Sequence, residues 1–86
     1  MYRVELTQEA QRFYDRCDKP VAKKLARCFL SLEKNPREGN NVKPLKGSFA
    51  GSYRFRVGDL RVVYAINDQA VTVFVIAIAK RSDVYE

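Results

Sequence analysis

The stretch "YRFRVGDLRVVY", residues 53–64, decides the fold of this chain. It contains two runs of alternating apolar and polar residues on either side of Gly58-Asp59. A glycine-led pair of this kind favours a two-residue hairpin turn between antiparallel strands. Counting outward from the turn places Arg56 opposite Arg61. The stretch therefore predicts a β-hairpin with two like charges facing each other.

Alternation along the hairpin separates an apolar face from a basic face. The apolar face, which helices could cover, consists of Tyr53, Phe55, Val57, Leu60, Val62 and Tyr64. The basic face carries Arg54, Arg56 and Arg61. Like charges directly opposite each other destabilise a sheet. Two interpretations are open: the arginines spread into solvent as ordinary edge charges, or they bind a polyanion, because guanidinium groups match phosphate oxygens in pairs.

Strands are predicted on both sides of this hairpin. Residues 2–6 alternate as a short first strand, and residues 70–79, "AVTVFVIAIA", have the β-branched content of a central strand. Strands are also expected near residues 49–57 and 60–67. Residues 37–48, "REGNNVKPLKGS", carry the glycine, proline and asparagine of a loop.

Two amphipathic helices are predicted between the first strand and that loop. Thr7 is the expected N-cap of the first helix, and Pro20 suits the first turn of the second, which ends at Asn35-Pro36. Cys17 and Cys28 fall at apolar helical positions and are predicted core residues. The fold class is therefore α+β in one domain of residues 1–86: a short N-terminal strand, a two-helix hairpin, then a three-stranded antiparallel meander forming one sheet.

The charge balance points to an anionic partner. Sixteen Lys and Arg against ten Asp and Glu give a net charge of +6, which suits nucleic acid, the ribosome, an acidic protein or a membrane surface. No apolar run reaches the ~18–20 residues of a membrane span, and the opening "MYRVEL" lacks a signal-peptide pattern. We expect a cytoplasmic protein. With no histidine and two cysteines, we expect no metal site and no cofactor.

The residues that follow the last predicted strand add to the basic face. If that strand returns antiparallel, Lys80, Arg81 and Tyr85 emerge near Arg56 and Arg61. Metal-free RNA cleavage needs a base for the 2′-OH, charge stabilisation at phosphorus and a proton for the leaving 5′-oxygen. Tyrosine can act as the base where cations lower its pKa, whereas arginine stabilises charge but is a poor acid. The set permits a metal-free nuclease. The alternative, which the tail position of Tyr85 favours by itself, is a surface aromatic without a catalytic role.

Three segments resemble the RelE branch of the RelE/ParE toxins: "LKG" (residues 45–47), "YRFRVGDLRVVYAI" (residues 53–66) and "VFVIAIAKRSDVY" (residues 73–85). The resemblance implies the toxin of a type II toxin–antitoxin pair, an endonuclease that cuts mRNA in the ribosomal A site and so inhibits translation. It also implies a RelB-like antitoxin that neutralises the toxin, in a complex that could bind operator DNA, and no membrane partner.

The resemblance assigns roles by position. It implies Arg61 as phosphate stabiliser, Arg81 as acid or phosphate stabiliser, and Tyr85 as general base. Arg54 and Arg56 stand where RelE toxins often carry lysines. The implied catalytic set is thus Arg54, Arg56, Arg61, Arg81 and Tyr85. The expected RNA-binding residues are Lys43, Lys46 and Lys80.

Two other functions remain open at this point. A ParE-like toxin would block DNA gyrase by protein contact without chemistry of its own, and a shared fold does not decide between the two activities. A non-catalytic basic module that binds nucleic acid or an antitoxin would fit the net charge equally well.

Overall fold

The structure is a computed structural model, and it describes residues 1–83. The protein folds into a mixed five-stranded sheet with two helices packed on one face. The elements in chain order are β1 (Arg3–Leu6), α1 (Gln8–Arg16), α2 (Lys19–Lys34), β2 (Val42–Pro44), β3 (Ser52–Val57), β4 (Leu60–Asn67) and β5 (Thr72–Lys80). Short 3-10 turns cover Gly47–Phe49 and Arg81–Asp83. The order of the strands across the sheet is β1-β5-β4-β3-β2.

The prediction of a three-stranded antiparallel meander is wrong, because the sheet has two more strands and is mixed. β1 pairs parallel with β5, and β2 pairs antiparallel with β3 inside the segment predicted to be a loop. β2 is only three residues long and contains Pro44, which lacks an N–H and is tolerated at a sheet edge. So short a segment has no readable alternation. The pairing of β1 with β5 joins residues far apart in the chain, which the pattern of β1 alone cannot reveal.

The hairpin of β3 and β4 has the predicted register. Arg56 lies opposite Arg61, and Tyr53 lies opposite Tyr64 with the two rings stacked at a centroid distance of 5.8 Å. Gly58, the first turn residue, has a φ of 56°. That left-handed conformation is readily available to glycine and unfavourable for other residues. The prediction of a glycine-led two-residue turn is therefore confirmed.

β5 departs from regular pairing at one point. The register between β4 and β5 shifts between Val63 and Tyr64, which leaves Ile76 as an extra residue on β5. The Thr7 hydroxyl donates a hydrogen bond to the Ile76 carbonyl oxygen at 2.7 Å and accepts one from the Ala10 N–H at 3.2 Å. Thr7 is the N-cap of α1, as predicted, and it also fastens the start of that helix to the bulge.

The core lies between α2 and the central strands. Its buried members are Ala10, Leu25, Cys28, Leu32, Val62, Tyr64, Val73, Val75 and Ile78. The buried Tyr64 hydroxyl donates to the Pro36 carbonyl at 2.7 Å, which satisfies its polar group and fixes the chain after α2. Burial raises the pKa of the Cys28 thiol to about 12, so it stays protonated. Cys28 is a core residue as predicted; Cys17 is half-buried at the end of α1.

An ion pair joins the segment after α2 to the turn between β4 and β5. The Arg37 guanidinium donates two hydrogen bonds to the Asp68 carboxylate, at 2.9 and 2.8 Å. The Tyr2 hydroxyl donates a third to Asp68 at 2.8 Å. These hydrogen bonds, that from Arg37 first, lower the pKa of Asp68. The group is exposed, so the contribution to stability is modest and weakens with salt.

The pH dependence of this ion pair can be predicted in sign. A carboxyl whose pKa is lowered by folding contributes stability above its unfolded pKa, ~3.9 for Asp, and loses it as pH falls through the folded value. Asp68→Asn should therefore be less stable than the wild type at pH 7 and converge with it in strong acid. Urea unfolding from pH 7 to pH 2 measures this, with the exposed Asp15→Asn as control. If the two proteins differed by the same free energy of unfolding at pH 7 and at pH 2, the ion pair would not be the source of the difference.

Candidate functional site

The face of the sheet opposite the helices, here called the outer face, carries a cluster of cations at one end. Lys43 of β2 pairs with Arg54, which in turn lies opposite Val63. Two residues nearer the turn, Arg56 lies opposite Arg61. The sequence prediction that the three arginines share one face is confirmed by this register.

Arg61 is held against the hairpin turn. Only 5% of the residue is exposed, and its Nη1 donates to the carbonyl oxygens of Gly58 and Leu60 at 3.1 and 3.0 Å. Gly58 is the first residue of the turn, and Leu60 is the residue that follows it. The guanidinium therefore has a fixed position at the end of the sheet. A preorganised cation is suited to stabilising charge that develops during a reaction, because it need not reorganise at that moment.

Arg54 fastens the loop that precedes β2. It is 9% exposed, and its Nη1 donates to the Asn41 carbonyl at 2.8 Å. The same carbonyl accepts the backbone N–H of Arg56 at 2.9 Å. Sequence alternation correctly placed Arg54 on the outer face but gave no indication that it binds backbone. Its position in the structure indicates a residue that shapes the face as well as charging it.

Arg56 and Arg81 are the exposed arginines at this end of the sheet. The Arg81 backbone N–H donates to the Asp59 carbonyl at 2.8 Å, so Arg81 begins directly beside the hairpin turn. Arg56 and Arg61 are three and two residues from Asp59 in the chain. The structure thus brings Arg56, Arg61 and Arg81 to one end of the sheet. Tyr85 lies outside the described residues.

A groove that the sequence did not predict opens on the helix side of the same turn. Its volume is about 940 Å³. Lys80 pairs with Leu60 in the sheet, and both line this groove with Arg81. Its apolar lining also includes Phe13, Cys17, Val21 and Val57. In the sequence, only the helical spacing of Phe13, Cys17 and Val21 could have indicated this groove. The same spacing is equally typical of core residues. Arg81 therefore lines the groove as well as lying beside the hairpin turn.

The other two predicted RNA-binding residues, Lys43 and Lys46, lie further from the hairpin turn than Lys80 does. Lys43 is exposed on β2 beside Arg54. Lys46 is exposed just before the 3-10 turn Gly47–Phe49, and its neighbour Leu45 bonds to Ser52 at the far end of β3. Lys46 is therefore separated from the hairpin turn by most of the length of β3. The structure does not bring it to the arginine cluster.

Two features of other classes of protein are absent from residues 1–83, the part of the chain that the structure describes. No group of three or more His, Cys, Asp or Glu side chains there is arranged to hold a metal ion. No helix in that range is long and apolar enough to cross a membrane.

Comparison with known proteins identifies the family. The model of the family described as "ParE toxin of type II toxin-antitoxin system, parDE" matches residues 4–85. The toxin RelE of Mycobacterium tuberculosis is 39% identical over 88 residues, which cover 98% of this chain and 86% of that protein. The chain belongs to the RelE/ParE toxin family. Its relatives place it in the RelE branch, as a toxin of a type II toxin–antitoxin system.

Solved structures of RelE toxins share this fold. A chain of the RelBE2 toxin–antitoxin complex from Mycobacterium tuberculosis superposes with a TM-score of 0.80 at 26% identity, covering 93% of this toxin and 98% of that chain. The archaeal RelE–RelB complex from Pyrococcus horikoshii gives a TM-score of 0.79 at 26% identity, covering 96% and 98%. The mixed sheet with two helices is therefore the fold of this RelE-like toxin.

The site of this RelE-like toxin is suited to binding a phosphodiester. Two exposed guanidiniums, of Arg56 and Arg81, lie at the same end as the fixed guanidinium of Arg61. Guanidinium groups bind phosphate oxygens in pairs. The exposure of Arg56 and Arg81 leaves both side chains accessible to a ligand.

Proposed function

We propose that this toxin is a ribosome-dependent endonuclease that cleaves mRNA in the ribosomal A site and thereby inhibits translation. The observation that carries the proposal is the opposition of Arg56 and Arg61 on the outer face of the sheet, with Arg81 beside the same turn. Guanidinium groups bind phosphate oxygens in pairs. Arginines of β3, β4 and the turn after β5 therefore give this end of the sheet the chemistry to hold a phosphodiester.

The proposed reaction needs no metal ion. The ribose 2′-oxygen attacks the adjacent phosphorus, the P–O5′ bond breaks, and the products are a 2′,3′-cyclic phosphate and a 5′-hydroxyl. Arg61 and Arg81 stabilise the charge on the pentacoordinate phosphorus. Tyr85 accepts the 2′-OH proton in this proposal, and a cation of the cluster or water returns one to the leaving oxygen. Because none of these groups is a strong acid or base at neutral pH, positioning on the ribosome has to supply much of the rate.

We also propose the partners that go with this activity. A RelB-like antitoxin would neutralise the toxin by binding it, and the complex could bind operator DNA. Two of the superposed structures are toxin–antitoxin complexes of RelE with RelB, which supports an antitoxin partner here. The net charge of +6 supports the ribosome and mRNA as the other partners.

The decisive experiment incubates the purified toxin with ribosomes that carry a defined mRNA and maps the ends produced. We expect cuts within the A-site codon, a 5′-hydroxyl on the downstream fragment and a 2′,3′-cyclic phosphate on the upstream one. Cleavage of an mRNA with a phosphorothioate at the scissile position should not be restored by adding Mn²⁺ or Cd²⁺. A folded toxin that leaves the mRNA intact would overturn the proposal, and metal rescue of the phosphorothioate would overturn its metal-free chemistry.

A second candidate function is supported by the family model itself, which is described for ParE toxins. A ParE-like toxin would inhibit DNA gyrase through protein contact. A supercoiling assay with purified gyrase separates the two functions, since the endonuclease should leave gyrase active. A non-catalytic module would be inactive in both assays.

A further inference from the structure

The outer face has an apolar part that the proposed cleavage does not use. Phe74 and Ile76 of β5 are 46% and 41% exposed, although β5 is a central strand. Their neighbours on that strand, Val73 and Val75, are fully buried on the helix side. Alternation thus directs one aromatic and one branched side chain of the same strand away from the core.

Phe74 is surrounded by small or paired side chains. It lies opposite Ala65 of β4, whose partner on β3 is Ser52. On its other side lies Glu5 of β1, whose carboxylate pairs with the Arg3 guanidinium at 3.0 Å. The ring therefore stands above Ala65 and Ser52, and the Glu5 carboxylate beside it has a cationic partner.

The distance from this ring to the cations follows from the register. Ala65, opposite Phe74, is four residues along β4 from Arg61, and Arg61 lies opposite the exposed Arg56. With a rise of about 3.3 Å per residue and about 4.8 Å between strands, Phe74 and Arg56 are roughly 16 Å apart. A short run of extended nucleotides covers that distance, so one RNA strand can reach both.

The bulge gives this part of the face a fixed shape. Ile76 is the extra residue, and the Thr7 hydroxyl holds its carbonyl at 2.7 Å. Bulges change the direction of side chains and increase local twist. Here the bulge is fastened by the N-cap of α1, so the strand around Phe74 and Ile76 is held in position.

We propose that Phe74, with Ile76 beside it, is a stacking platform for an unpaired base of the RNA strand whose phosphates bind the arginines. This inference rests on the proposed function and adds how the toxin holds its substrate. Aromatic side chains next to a basic surface are typical of single-stranded RNA recognition, since an unpaired base exposes its face for stacking. A duplex would hide that face.

A protein occupant fits the same surface less well. Stable protein–protein interfaces bury about 1,200–2,000 Å² with an apolar centre. Within residues 1–83, the exposed apolar part of the outer face around Phe74 consists of Phe74 and Ile76 among alanines, a serine and an ion pair, while Val63 is buried. One flat ring with small neighbours matches a base better than it matches a helix or a strand.

The test uses RNA that the toxin cannot cut. Single-stranded oligoribonucleotides with 2′-O-methyl riboses lack the attacking hydroxyl, and 2-aminopurine is placed at each position in turn. We expect the 86-residue wild type to quench the fluorescence at one position. Phe74→Leu, which keeps an apolar side chain without a ring, should abolish that quenching and weaken affinity on the order of 10-fold. Phe74→Tyr should retain both, and Leu30→Ala, an exposed apolar change on α2, is the control.

The outcomes separate this inference from the proposed function. The probe needs neither ribosomes nor catalysis, so a toxin that fails to cleave mRNA can still show the platform. Equal quenching by the wild type and Phe74→Leu, or no quenching by the wild type at any position, overturns the platform. A Phe74→Leu variant that loses antitoxin binding but keeps RNA binding would assign the surface to a protein partner, which also overturns it. Circular dichroism and thermal unfolding confirm that each variant is folded.

Discussion

Arg81→Ala is expected to lower the kcat of A-site mRNA cleavage by about 10²–10³-fold, the effect of removing one preorganised group that stabilises a transition-state charge. Arg81 is exposed, and its backbone N–H bonds to Asp59 at 2.8 Å. The backbone of Arg81 is therefore anchored at the hairpin turn that also holds Arg61, and the exposed side chain is not part of the core. Its loss should remove charge stabilisation at phosphorus and leave the fold intact.

Two further variants sharpen this prediction. Arg81→Lys keeps the charge but replaces the planar fork with a point charge, so it should fall between the wild type and alanine. Arg27→Ala removes an exposed arginine from α2 and is the matched control. Cleavage is followed as the rate of appearance of A-site fragments at saturating toxin. If Arg81→Ala cleaved as fast as Arg27→Ala, Arg81 would have no role in the chemical step.

Leu25→Ala is expected to destabilise the toxin by about 3–5 kcal/mol, the range for deleting a fully buried leucine side chain. Leu25 lies on α2, is 0% exposed and packs in the core. A domain of this size has a total stability of roughly 4–13 kcal/mol. The substitution would therefore remove a large share of it and lower Tm by more than about 10 °C.

α2 itself offers the matched control for this substitution. Leu30→Ala makes the same chemical change on the same helix, but Leu30 is 56% exposed. It should shift the free energy of unfolding by no more than about 0.5 kcal/mol. Urea unfolding of both variants measures the contrast. Similar losses from the two substitutions would mean that α2 does not pack as described.

The hairpin and its two faces could be predicted from sequence because their rules are local. Gly58 requires a particular turn, and the turn fixes which residues oppose one another. Alternation then assigns each side chain to a face. The N-cap Thr7 and the first-turn Pro20 are equally local signals. In each case a few neighbouring residues are sufficient to predict the local structure.

Features that depend on distant parts of the chain were not predictable in this way. β2 exists because β3 is there to pair with it, and β1 finds its parallel partner in β5. At the site, alternation gave the face of Arg54 but could not show that its guanidinium bonds to Asn41. The exposure of Phe74 was missed for the same reason: a run of apolar residues in a central strand indicates burial on both faces, and only the assembled sheet shows that one face is open.

The position of β5 in the sheet has a consequence for the order in which the toxin can fold. β5 lies between β1 and β4, so residues 72–80 connect the start of the chain to the hairpin. A growing chain that has not yet reached Thr72 would leave β1 without a partner and β4 with an open edge. Closing the long loop between two distant segments also carries a high entropic cost, so their pairing is slow. The outer face, with its arginines and Phe74, therefore cannot assemble until β5 has been made.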